Sequence, residues 1–143
     1  MSKAYIPASL RELVYDRAKG CCEYCLIPEV AAFSSHQIDH IIAQKHGGLT
    51  KPENLALSCS LCNKFKGSDL TSIDPQTGKI TPLYHPRADC WSEHFKLTAE
   101  SCQPLTAKGR ATVQLLKLNR SDRVSERKIL LEAGILQVSN FLS

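Results

Sequence analysis

Two Cys-x-x-Cys pairs, Cys22/Cys25 and Cys59/Cys62, are separated by 33 residues in a chain of 143. Each such turn aims two thiolates at a common point, and two turns supply the four ligands of a tetrahedral zinc site. A closed four-sulfur set leaves no position for water or substrate, so its role is structural. It would clamp the chain near Cys22 against the element bearing Asn63, and the binding free energy would be folding free energy. A single pair could equally be buried small hydrophobes or a redox dithiol. Two pairs flanking a polar, His-rich segment favour zinc. Cys21 offers a shifted register for the first pair, while Cys90 and Cys102 fall outside ligand spacing and read as packed or free thiols.

The compartment matters to this reading, because seven cysteines in a secreted chain would suggest disulfides. The segment MSKAYIPASLRELVYD has no continuous apolar core or small-residue cleavage site, and the expectation is a cytoplasmic protein. No stretch approaches the roughly 20 apolar residues of a membrane span. A formal net charge of +4 permits a polyanionic partner without requiring one.

Along the chain, Ser9 and Glu12 have the spacing of a capping box. With Leu10, Val14 and Ala18 on one face, they predict a helix over residues 9–19 that ends at Gly20 and covers the core from outside. Residues 32–42, with Phe33, Ile38, Ile41 and Ile42, predict a strand running into a loop, and Lys45 to Gly48 a turn. Thr50 to Glu53 reads as a second cap, and residues 63–66 as a short helix stopped by Gly67. Beyond residue 70, a turn at residues 74–78 precedes strands near 79–84 and 91–97, then helices over 106–118 and 121–133. The fold class is therefore α+β. The organisation expected is a core over residues 1–70 and a C-terminal extension over 71–143, packed on that core.

Between the cysteine pairs lie His36, then Asp39-His40-Ile-Ile, Gly47-Gly48 and Glu53-Asn54-Leu55. At a strand end, neighbouring side chains diverge, so a carboxylate can face a metal while the adjacent imidazole reaches a water. A carboxylate suits a hard cation, and a neutral imidazole suits proton abstraction near pH 7. Taken alone, an Asp-His pair is more often a satisfied surface pair, and Asn54 and Asn63 could be turn and helix-surface residues.

In order and spacing, Cys22-x-x-Cys25, Asp39-His40-Ile-Ile, Gly47-Gly48, Glu53-Asn54-Leu55 and Cys59-x-x-Cys62-Asn63-x-x-Lys66-Gly67 resemble the zinc-containing, four-cysteine branch of the HNH endonucleases. The resemblance covers about residues 9–69, and the remainder looks like a bacterial subgroup of small HNH proteins. It implies a ββα-metal (His-Me finger) core with a structural zinc site, an N-terminal helix and a helical C-terminal extension. It implies His40 as general base, Asn54 orienting His40 through its side-chain carbonyl, and Asp39 and Asn63 holding a catalytic divalent ion. The expected products carry a 5′-phosphate and a 3′-hydroxyl. Asparagine at position 63, where many members have histidine, favours magnesium or manganese. Ala43 stands where proline is common. His36 would sit near the metal or support the loop, and His85 and His94 would pack in the extension.

DNA is the implied partner. Lys45, Lys51, Lys64, Lys66, Arg87, Arg110, Lys117 and Arg120 could form a phosphate track, with Gly109 and Arg110 offering backbone donors at a helix start. Many would equally be solvated surface charges. So small a protein has little room for base reading, so specificity is expected to come from a homodimer or an accessory partner. Two readings compete with metal-dependent DNA hydrolysis: a zinc-ribbon DNA-binding or interaction module without catalysis, and a cytosolic thiol-redox protein.

Overall fold

The computed structural model describes residues 5–136. Its first element, α1 (Ala8–Arg17), starts one residue before the expected capping box. Pro7 takes the cap position instead, its carbonyl accepting from the amides of Leu10 and Arg11, both at 3.0 Å. Ser9 thus lies inside the helix, and no side chain caps it. The predicted apolar stripe is real: Val14 and Ala18 are buried against Leu55 and Leu57, with Leu10 and Ile38 at the margin.

Leu55 and Leu57 belong to β2 (Leu55–Ser58), which pairs antiparallel with β1 (Gln37–His40). The register sets Asp39 opposite Ala56 and His40 opposite Leu55. The strand is shorter than residues 32–42 suggested, and Phe33 is fully exposed ahead of it. Directly after β2, Cys59 opens α2 (Ser60–Lys66), its sulfur accepting from the Cys62 amide at 3.4 Å, and Gly67 ends the helix as expected. The hairpin is thus covered on one side by α1 and flanked by α2 on the other.

In the second half, β3 (Thr71–Ile73) and β4 (Ile80–Pro82) form one hairpin, and β5 (Phe95–Thr98) and β6 (Ser101–Pro104) another. The strand expected over 91–97 is half helix: Trp91–His94 form a single turn, α3, before β5 begins. The helices α4 (Ala107–Leu116) and α5 (Ser121–Glu132) fall where the apolar spacing put them. Thr106 caps α4 through Gly109, whose Cβ position would lie 2.3 Å from the His94 carbonyl oxygen, so only glycine fits there. Asp74, fully buried, takes a two-pronged contact from Arg110, which holds its carboxyl well below the usual carboxylate range.

One buried cluster runs across both halves. Tyr84 meets Tyr24 and Phe95 edge to face, Trp91 lies tilted against Phe95, and Trp91 donates to the Tyr24 carbonyl at 3.2 Å. Arg87 pairs with Glu23, which also accepts from the Leu57 amide, so the first cysteine turn is tied to both β2 and the extension.

The α1–hairpin seam is closed by Leu55, which has no exposed surface. Leu55→Ala is expected to lower the unfolding free energy by about 2–5 kcal/mol. Leu13→Ala, on the outer face of the same helix, should change it by less than about 0.5 kcal/mol. Urea titration of the metal-saturated proteins checks both.

Candidate active site and metal centre

The first cysteine turn is closed by backbone bonds from Cys22 to Ile27 and from Leu26 back to Cys22, each 2.9 Å, with Leu26 in the left-handed region at φ 74°. The second is the entry to α2. Together they bring the sulfurs of Cys22, Cys25, Cys59 and Cys62 within 4.8 Å of one another, all buried. The Cys25 and Cys59 sulfurs stand 3.6 Å apart. A tetrahedron with zinc–sulfur bonds of about 2.3 Å has edges of roughly 3.8 Å, so the donor set fits that ion. Burial opposes ionisation of Cys25, yet hydrogen bonds from Cys22, Cys59 and Cys62 and the charge of Arg123 leave its thiol well below the ordinary range. Cys21 is outside the group, its thiol donating to the Lys19 carbonyl, which decides the register for Cys22. Cys102 is fully buried, and burial pushes its thiol up to about 11.

Beside this centre, β1 and α2 form the wall of a cleft of about 790 Å³ that Asp39, His40, Asn63, Lys45 and Arg11 all line. Three of the four expected catalytic positions therefore meet on one cavity. Asp39 is buried, and its Oδ2 accepts from Tyr24 at 3.0 Å and from the Lys66 ammonium at 3.1 Å. Lys66 also donates to the Ile41 carbonyl at 3.0 Å. Burial lifts the Asp39 carboxyl above its ordinary range, against the opposing pull of Lys66 and Tyr24. Asn63 donates from its amide to Gln37 on the neighbouring strand.

Asn54 differs from expectation. Its carbonyl accepts from the Ile42 amide at 2.9 Å, and its amide donates to the carbonyls of Ile42 and Leu49. It makes no hydrogen bond to His40, because both ends of its side chain are spent closing the loop between β1 and β2. Gly48 makes that closure possible: a Cβ there would sit 1.7 Å from the Ile42 carbonyl oxygen. The loop carries Thr50, and the Thr50 hydroxyl, not Asn54, meets His40 Nε2 at 2.9 Å. The sequence motif had suggested a helix cap at Thr50, but Pro52–Asn54 form only a 3-10 turn with no side-chain cap.

His36 supports the loop ahead of β1, its Nε2 bonded to the Ile27 carbonyl at 2.8 Å. His94 bonds Thr106, and His85 accepts from the amides of Arg87 and Ala88. The eight-residue phosphate track thins out. Lys66 is committed to Asp39, Arg87 to Glu23 and Arg110 to Asp74, while Lys117 lies over the Phe65 ring. The Gly109 and Arg110 amides are taken by Thr106, so that helix start offers no phosphate site. Lys45 keeps its place on the cleft. Thr50 and Tyr24 are the site residues that sequence reasoning missed, and Lys66, expected on a phosphate track, instead holds Asp39. Lys66 alone carried a signal in the sequence, its fixed spacing after Asn63.

A family model described as HNH endonuclease matches residues 22–69, from the first metal-turn cysteine to just past α2. Over this stretch the chain is similar to the HNH endonucleases. Septu protein PtuB of Bacillus thuringiensis is 27% identical over 135 residues, covering 90% of this chain and 47% of its own. The chain thus spans about half the length of this curated relative. No solved structure matches significantly. The HNH match ends at residue 69, so α4 and α5 lie outside it, although both contribute to the same buried core.

Removing Asn54 should loosen the HNH loop rather than detach a catalytic group. Asn54→Ala leaves the backbone of Ile42 and Leu49 unpaired, which is expected to cost about 1–3 kcal/mol. Amide exchange should rise across residues 42–54 and stay unchanged in α4.

Proposed function

We propose that the β1–β2–α2 unit is a ββα-metal core and that the protein is a metal-dependent endonuclease hydrolysing DNA phosphodiester bonds. The observation that carries this reading is the convergence of Asp39, His40 and Asn63 on one cleft beside the four-cysteine cluster. In this reading residues 1–70 are the nuclease core, and 71–143 are an extension packed on it. Residues 1–4 and 137–143 lie outside the described ones.

His40 is the general base. In the tautomer that donates Nε2–H to the Thr50 hydroxyl, Nδ1 would be the nitrogen with a lone pair to take a proton from the attacking water. Thr50 fixes the ring, and Asn54 fixes Thr50 by holding the loop. Asp39 has Oδ2 engaged by Tyr24 and Lys66, which sets the plane of the carboxylate and leaves Oδ1 as its second ligand atom. Asn63 contributes its side-chain oxygen from α2. A magnesium or manganese ion held by Asp39 and Asn63 would supply charge neutralisation on the scissile phosphate and the leaving oxygen. Two oxygen ligands are few for either ion, so substrate phosphate and water would be needed as further ligands. Water attack with departure of the 3′ oxygen gives a 5′-phosphate and a 3′-hydroxyl.

Zinc is assigned to the four cysteines as a structural ion. Reduced thiolates of this kind persist in a reducing compartment, and we assign the protein to the cytoplasm. The cleft has Arg11 and Lys45 on its walls for phosphate contact. Base recognition is assigned to a second copy or an accessory partner, because one cleft of this size spans few base pairs.

A zinc module that binds without cutting draws support from the ion pair already made by Asp39. Cleavage of supercoiled plasmid with magnesium or manganese separates the two. Wild type should nick or linearise the DNA, and His40→Ala with equal zinc content should lose at least about 100-fold in rate. Thr50→Val should lose less. Inert proteins that still bind DNA would favour the module, and equal cutting by wild type and His40→Ala would refute the site.

Zinc itself is tested by chelation. The purified chain should hold one zinc per chain, and its removal should abolish cooperative unfolding. A fold that survives metal removal unchanged would contradict the structural role.

A further inference from the structure

We propose that Arg123, on the C-terminal helix α5, is part of the metal centre. It would act as a buried cation that partly neutralises the four thiolates and makes the extension a component of the HNH domain's zinc site. This inference rests on the zinc reading above. Four thiolates around a divalent ion carry a net charge of about −2. Here that charge would be enclosed, since Cys22, Cys25 and Cys62 have no exposed surface. A buried charge is costly unless it is paired and hydrogen-bonded.

Arg123 supplies that pairing. It is 3% exposed, and its Nη2 donates to the Cys62 sulfur at 2.9 Å and the Cys59 sulfur at 3.5 Å. Its Nη1 donates to the Leu116 carbonyl, at the end of α4, at 2.7 Å. Among the described residues no carboxylate reaches it within ion-pair distance. A guanidinium stays protonated in proteins, and the sulfur pair is the anionic group in reach of this one.

Arg127 provides an internal comparison. One helical turn on, it is also fully buried, yet it donates only to the carbonyls of Leu118 and Glu100. The two arginines share a helix face and a burial. They differ in that one touches sulfur.

Zinc release from the full chain into a chelating dye tests the proposal, using wild type, Arg123→Met, Arg123→Lys and Arg127→Met. Partners of metal ligands typically contribute 10- to 100-fold to metal affinity, and Arg123→Met should weaken zinc retention by about that factor. Arg127→Met should unfold more easily but hold zinc within about twofold of wild type. Should Arg123→Met fold poorly, Arg123→Lys keeps the charge, and its zinc retention should fall between wild type and the expected loss. Cobalt in place of zinc adds a spectroscopic readout, because the sulfur-to-cobalt band should shift in the Arg123 variants and not in Arg127→Met. Retention unchanged by Arg123→Met, or weakened equally by Arg127→Met, overturns the proposal. A wild-type chain that binds no zinc overturns the metal reading beneath it.

Discussion

Four sulfur atoms from two distant turns meet inside a sphere smaller than a side chain, and the rest of the molecule is arranged around that meeting. Closing a loop of the 33 residues between Cys25 and Cys59 costs chain entropy that grows with the logarithm of its length. The elements inside and beside that loop are short, a hairpin of two four-residue strands and the ten-residue α1. Four metal–thiolate bonds would offset that cost, because they form only when both turns are in place. The direction of α2 follows from the same constraint, since Cys59 and Cys62 are its cap and its first buried turn.

The cleft depends on this geometry at one remove. With α2 held against β1, Lys66 reaches back to Asp39 and Ile41, and Asn63 reaches Gln37. Tyr24, inside the first cysteine turn, reaches Asp39 from the other side. The carboxylate at the base of the cleft is therefore held by one residue from each cysteine turn's element. A change at the metal centre would be felt at Asp39 through two independent contacts. The extension closes the arrangement from outside, with Arg87 on Glu23, Trp91 on the Tyr24 carbonyl and Arg123 on the sulfurs.

Local spacing made much of this legible. The cysteine turns, the α1 stripe, the stop at Gly67 and the two C-terminal helices are written within windows of a few residues, where periodicity and turn chemistry act directly. Errors arose where a side chain had a choice of distant partners. Ser9 and Thr50 both looked like helix caps, yet Pro7 starts α1 and Thr50 turns to His40. Asn54 has the right position for a catalytic role, but its amide is consumed by the backbone of its own loop. Arg110 and Arg123 are ordinary basic residues in the sequence. Only packing shows that one is bound to Asp74 and the other to sulfur. Of the four residues the HNH motif singled out, Asp39, His40 and Asn63 line the cleft and Asn54 does not. Which of them touch one another depended on contacts spanning tens of residues.

Zinc-edge X-ray absorption on the purified 143-residue chain tests the central claim most directly, since it counts the atoms around the ion. Convergence of both cysteine turns on one structural ion predicts four sulfur neighbours at about 2.3 Å and no nitrogen or oxygen in the shell. A shell with fewer sulfurs, or one containing nitrogen or oxygen at about 2.0 Å, would mean that the two turns do not share a closed site, and the arrangement of α2 against β1 would need another cause.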